Sequence, residues 1–143
     1  MDFCVDLNKT DLQRVLRHSR GFETFLLPYA QIECCAFEID FLFSTNLVNA
    51  KNMYCLDISQ CKLSTLCFQR YMSSLKIVNV SECLNLVDED FQVISSCNNL
   101  EQLFLSLTNI SCITITSVCS VLYLMVLDLS GIPITTDVCV WTL

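Results

Sequence analysis

Glycine and proline are scarce, with two of each in 143 residues. A sandwich or barrel with many tight turns needs more of both. Gly21 and Gly131 lie far apart, which excludes a glycine-rich phosphate loop. Histidine occurs once, at His18, with no local motif of a Ser/His/Asp or Cys/His site around it. Lys and Arg number 8 against 15 Asp and Glu, for a net charge of -7. Such a chain gains nothing from a phosphate backbone or an anionic bilayer surface, so neither nucleic acid nor membrane is an expected partner. The longest apolar stretch, near Val118 to Leu127, is interrupted by Ser120 and closed by Asp128, too short to span a bilayer. The opening residues Met1 to Asp6 lack the basic and apolar regions of a secretory signal.

What is present is apolar: 53% hydrophobic residues against 16% charged. That composition predicts one packed domain rather than disorder. Eleven cysteines would suit a disulfide scaffold, but the number is odd and no C-x-x-C pair occurs. Cys55, Cys61 and Cys67 are each separated by five residues, and Cys34 adjoins Cys35; neither is a zinc-site spacing. The thiols are expected to be reduced and to serve as small hydrophobes, which places the chain in a reducing compartment, cytoplasm or nucleus. No catalytic residue, metal or cofactor is predicted, and the chain is read as a non-enzyme.

The organising feature is a repeat. Apolar anchors recur in the pattern L-x-x-L-x-L: Phe22, Phe25, Leu27; Met53, Leu56, Ile58; Leu75, Val78, Val80; Leu100, Leu103, Leu105; Leu124, Leu127, Leu129. The intervals between first anchors are 31, 22, 25 and 24 residues. Three residues beyond the last anchor stands a small or apolar residue: Ala30, Cys61, Cys83, Thr108 and Ile132. The x-L-x-L-x core alternates, so it reads as a short strand with one apolar face. The rest of each unit is expected to return on a helix. Candidate helices are Thr10 to Arg17, Glu33 to Asn46, Ser64 to Met72 and Val87 to Ile94, with Asp88 and Asp90 as helix-start acids. Ile113 to Ser120 is rich in β-branched residues and is expected to be the weakest of them. No unit can bury its apolar face alone, so the units must stack.

The segment Leu75 to Cys83, with Leu86 to Asp90 and Val93 to Leu103, resembles the cysteine-containing leucine-rich repeat, best known from F-box/LRR proteins. Cys61 and Cys83 match the cysteine after the strand, and Cys97 matches the one before the next unit. Thr108 and Ile132 replace the first, Ser19, Ala50 and Met72 replace the second, and Cys119 lies two residues early. The resemblance implies an α/β leucine-rich-repeat solenoid, a short horseshoe with parallel strands on the concave face and helices on the convex face. It spans residues 1–143 as a single domain of about five repeats plus a partial leading helix, read as a fragment or as lacking a C-terminal cap. It also implies protein recognition, as the substrate-recognition part of an SCF-type ubiquitin ligase that meets cullin–RING components through another chain or a missing region. No F-box is identifiable. The alternative is a scaffold subunit of a larger assembly, ciliary or mitochondrial for example.

Aligning the units puts the outward strand residues in rows. The central row is Leu26, Asp57, Asn79, Phe104, Asp128, and its neighbour is Thr24, Cys55, Ile77, Gln102, Val126. Five strands about 4.8 Å apart give a strip of roughly 20 Å. Asp57, Asn79, Phe104, Asp128, Ile77 and Gln102 are the predicted partner-binding residues. A single aromatic among small polar side chains suits recognition of a protein.

Overall fold

The computed structural model describes residues 54–61, 74–92 and 94–133, and the backbone of 24–26. The predicted helices at 10–17, 33–46 and 64–72 lie outside the described residues. Five three-residue strands form one parallel sheet: β1 (Thr24–Leu26), β2 (Cys55–Asp57), β3 (Ile77–Asn79), β4 (Gln102–Phe104) and β5 (Val126–Asp128). They pair in chain order, each with the next. Register follows the aligned anchors, with Phe25, Leu56, Val78, Leu103 and Leu127 opposite one another in turn. The fold is therefore α/β, with a small parallel sheet.

Alternation separates the faces. Leu56, Ile58, Leu75, Val78, Val80, Leu100, Leu103 and Leu105 are each at most 2% exposed, while their neighbours along the strands are half-buried. The same turn follows each strand from β2 onward. The N–H groups of Cys61, Cys83, Thr108 and Ile132 donate back to the carbonyls of Ile58, Val80, Leu105 and Leu129 at 3.2–3.3 Å. The residue before the closing one takes positive φ every time: Gln60 at 61°, Glu82 at 61°, Leu107 at 56° and Gly131 at 71°. A positive φ at the third residue of a four-residue turn is the type II pattern.

The closing residue of each turn is buried, which explains why it is small or apolar. Cys83 donates its thiol to the carbonyl of Ile58 in the preceding unit at 3.1 Å. Thr108 substitutes for cysteine by donating its hydroxyl to the carbonyl of Leu105 at 2.6 Å. The slot before the next strand is filled by Cys97 in one unit and Val121 in the next. Both carbonyls accept the N–H three residues on, from Leu100 and Leu124. Val121 thus does the work expected of Cys119, which is exposed.

The return segments differ from expectation. Val87 to Ile94 does not make an α-helix: it makes two short 3-10 turns, Asp88–Phe91 and Ile94–Ser96, with Phe91 and Ile94 buried. The segment expected to be weakest contains α1 (Cys112–Val118), the one α-helix among the described residues. Its β-branched residues are costly in isolation, but Thr114, Ile115 and Val118 pack inward. Ser111 caps its start, accepting from the N–H of Ile113. Thr116 and Ser117 return their hydroxyls to the carbonyls of Cys112 and Ile113, four residues back.

Asp88 links these two returns. Its carboxylate accepts from the N–H and hydroxyl of Ser111 at 2.9 and 2.6 Å, and from the hydroxyl of Thr114 at 2.6 Å. It thus opens its own 3-10 turn as a first-turn acid and also anchors α1 of the next segment. Asp90 plays the expected local part, accepting from the N–H of Val87 at 3.0 Å. Further links between successive units are Lys76 to Glu101 at 2.8 Å and Asn109 to the carbonyl of Leu84 at 2.6 Å.

Candidate functional site

The six predicted residues come together on the outward face of the sheet. Asp57, Asn79, Phe104 and Asp128 lie opposite one another in one row, and Ile77 and Gln102 in the row beside it. All six are half-buried.

Most of the central row has a duty to the backbone. Asp57 accepts from the N–H of Ser59 at 3.0 Å, Asn79 from that of Ser81 at 3.1 Å, and Asp128 from that of Ser130 at 2.9 Å. Each is an Asx turn that starts the chain into the type II turn. Asn79 uses both ends of its amide, since its Nδ2 also donates to Asp57 Oδ2 at 3.1 Å. Asp128 additionally accepts the Ser130 hydroxyl at 2.6 Å. The Ser130 hydroxyl and N–H, with a smaller contribution from Ser106, hold its pKa below the usual carboxylate range. The acidic tone of this face is thus partly spent on fixing turns.

Phe104 breaks the series. It occupies the same row, yet it has no oxygen with which to cap, and Ser106 lacks the side-chain bond that Ser59, Ser81 and Ser130 receive. It is paired with Asn79 on one side and Asp128 on the other. An aromatic that does nothing for its own turn is the residue of this row best suited to a partner.

The thiols divide by burial. Burial pushes Cys97 up to about 11. Cys83 is likewise raised to about 11 by burial, against the backbone N–H groups of Cys61 and Gln60, which lower it. Cys55, half-buried beside Ile77, is raised by burial and by the charge of Asp57. None of these three is an activated nucleophile at neutral pH.

A second surface went unnoticed in the sequence. At the N-terminal ends of β3, β4 and β5 an open groove of about 580 Å³ is lined by the Lys76–Glu101 pair, Asn98, Asn99, Leu122, Tyr123, Leu124 and Met125. Leu122 is 81% exposed, Met125 72% and Tyr123 63%. The only signal was an apolar run without period 2 or 3.6, which gives no burial pattern. No described helix is long and apolar enough to cross a membrane. No family model, curated protein or solved structure matches the chain significantly.

Proposed function

We propose that the chain is a cysteine-containing leucine-rich-repeat solenoid whose outward sheet face recognises another protein without catalysing a reaction. Support for the repeat reading comes from five strands paired in chain order and one turn made four times at the same place. Support for recognition rests on Phe104, the one residue of the central row from β2 to β5 that carries no capping bond to its own turn. Gln102 and Ile77 flank it and extend the contact. By kinship of repeat type, the partner is the substrate of an SCF-type ubiquitin ligase, reached through another chain or region that binds the cullin–RING components.

The test is crosslinking capture from reducing extract with the wild type and Phe104→Ala. A specific client or cullin–RING components, held by the wild type and reduced about tenfold or more in the variant, is the expected result. A second reading, a scaffold subunit of a larger assembly such as a ciliary or mitochondrial one, is favoured by the exposed Leu122, Tyr123 and Met125. A stoichiometric assembly that Phe104→Ala leaves intact, but Tyr123→Asp disperses, would replace the first reading with the second.

A further inference from the structure

The outward face carries two negative charges that nothing in the sheet answers. Asp57 and Asp128 stand in the same row in β2 and β5, three strands apart, or about 14 Å at the usual strand spacing. The bonds they accept come from neutral groups: the N–H of Ser59 and the amide of Asn79 for Asp57, the N–H and hydroxyl of Ser130 for Asp128. Such bonds fix a carboxylate in place without cancelling its charge. A carboxylate has about four acceptor positions, so room for a cation is left at each. Lys76, the one basic side chain among the described residues, pairs instead with Glu101 at 2.8 Å.

Between the two acids lie Asn79 and Phe104, with Ile77 and Gln102 in the row beside them. Gln102 is paired with Ile77 and Val126, neither of which can bond to its amide. That amide has no hydrogen-bond partner among the described residues. Asn79 spends both ends of its amide on the sheet, whereas Gln102 keeps a donor and an acceptor for something else.

Resting on the reading that the outward face recognises a protein, we propose that its partner is an extended basic segment that crosses the strands. The segment carries Lys or Arg at two positions four residues apart and an apolar residue midway. The spacing of the acids selects this conformation. An extended chain advances about 3.3 Å per residue and returns to the same side every second one, so residues i and i+4 lie about 13 Å apart on one side. Their cations meet Asp57 and Asp128. Residue i+2 falls about 7 Å along, over the gap between Asn79 and Phe104, where an apolar side chain packs on Phe104 with Ile77 diagonal to it. The segment's own N–H and carbonyl groups are the complement of the Gln102 amide. In an α-helix, residues on one face seven and eleven apart are separated by about 10.5 and 16.5 Å, and neither distance matches the acids.

The experiment is selection from a phage-displayed library of random dodecapeptides on the full chain under reducing conditions. It is repeated on Phe104→Ala and on the double variant Asp57→Asn with Asp128→Asn. Asparagine keeps the Asx turn, as Asn79 does in the same row, and circular dichroism checks the fold of each variant. Phe104→Gln takes the place of alanine if alanine alters the spectrum. The wild type is expected to enrich sequences of the form basic–x–apolar–x–basic. One such peptide, labelled and followed by fluorescence anisotropy, should bind Phe104→Ala about tenfold more weakly. It should bind the double asparagine variant roughly tenfold more weakly, as two exposed pairs of up to about fivefold each allow. Added salt should shrink that second difference and not the first. Sequences that need Phe104 but lack the basic pair, or carry it at helical spacing, overturn the extended basic segment and leave recognition by this face standing. If no sequence depends on Phe104, both fall.

Discussion

From Ile58 to Cys61, Val80 to Cys83, Leu105 to Thr108 and Leu129 to Ile132 the chain makes one turn four times. The segments that follow do not repeat: two 3-10 turns after β3, a capped α-helix after β4. The strand side must hand an unbroken ladder of backbone bonds to the next unit, so its spacing and conformation are fixed. The return side has only to cover the apolar face and span back. Chains of different helical type satisfy that if a buried face and a cap are supplied.

The sharpest way to test this division is to remove an anchor from the strand side. Leu103 is fully buried between β3 and β5, so Leu103→Ala should cost about 2–5 kcal/mol in urea unfolding. Leu127 occupies the same row in β5, the last described strand, and is partly exposed. Leu127→Ala should cost less than half as much, because less apolar area is lost from cover. Equal losses would mean that β5 is as covered in solution as the interior strands.

On the return side the largest single loss should come from Asp88. Asp88→Ala strips α1 of an anchor and leaves the buried Thr114 hydroxyl without its acceptor, for a cost of about 1–3 kcal/mol. Burial alone would raise the Asp88 pKa, but the bonds from Ser111 and Thr114 outweigh it and hold it low. A carboxylate whose folded pKa lies below its unfolded value of about 3.9 stabilises fully above that value. Its contribution is lost as pH falls through the lower, folded value. The stability gap between the wild type and Asp88→Asn should therefore be constant near neutrality and shrink in acid below about pH 4. A gap that does not change with pH would assign the link to packing instead of charge.

The strand side was legible in the sequence because both of its signals are short-range. Alternation placed Leu56, Val78 and Leu103 in one row, and a small residue three positions past the anchor marked Cys61, Cys83, Thr108 and Ile132. The return side was not. Val87 to Ile94 carries the acids and apolar spacing of an α-helix yet folds as 3-10 turns, and the β-branched Ile113 segment becomes the helix. What decides between them is Asp88 reaching 23 residues ahead to Ser111, a contact that no local pattern encodes. The outward face was legible in position but not in role. Asp57, Asn79 and Asp128 stand where expected, but their carboxylate and amide oxygens belong to the turns.

The smallest effect tests whether the four turns are one turn. Leu107 and Gly131 occupy the same position in successive units, at φ of 56° and 71°. A leucine there bears the cost of a left-handed backbone, roughly 1 kcal/mol, which glycine avoids. Leu107→Gly should raise stability by about 0.5–1 kcal/mol, since half of the side chain lies in solvent and little packing is lost. Gly131→Ala should lower it by about as much, because its methyl group would inherit the strain and press on the Leu107 side chain. That side chain is exposed and can yield, so the backbone should dominate the loss. In the double variant Leu107→Gly with Gly131→Ala, the obstructing leucine is gone. If its stability equals that of the wild type within a few tenths of a kcal/mol, φ alone sets the preference and the two turns are interchangeable.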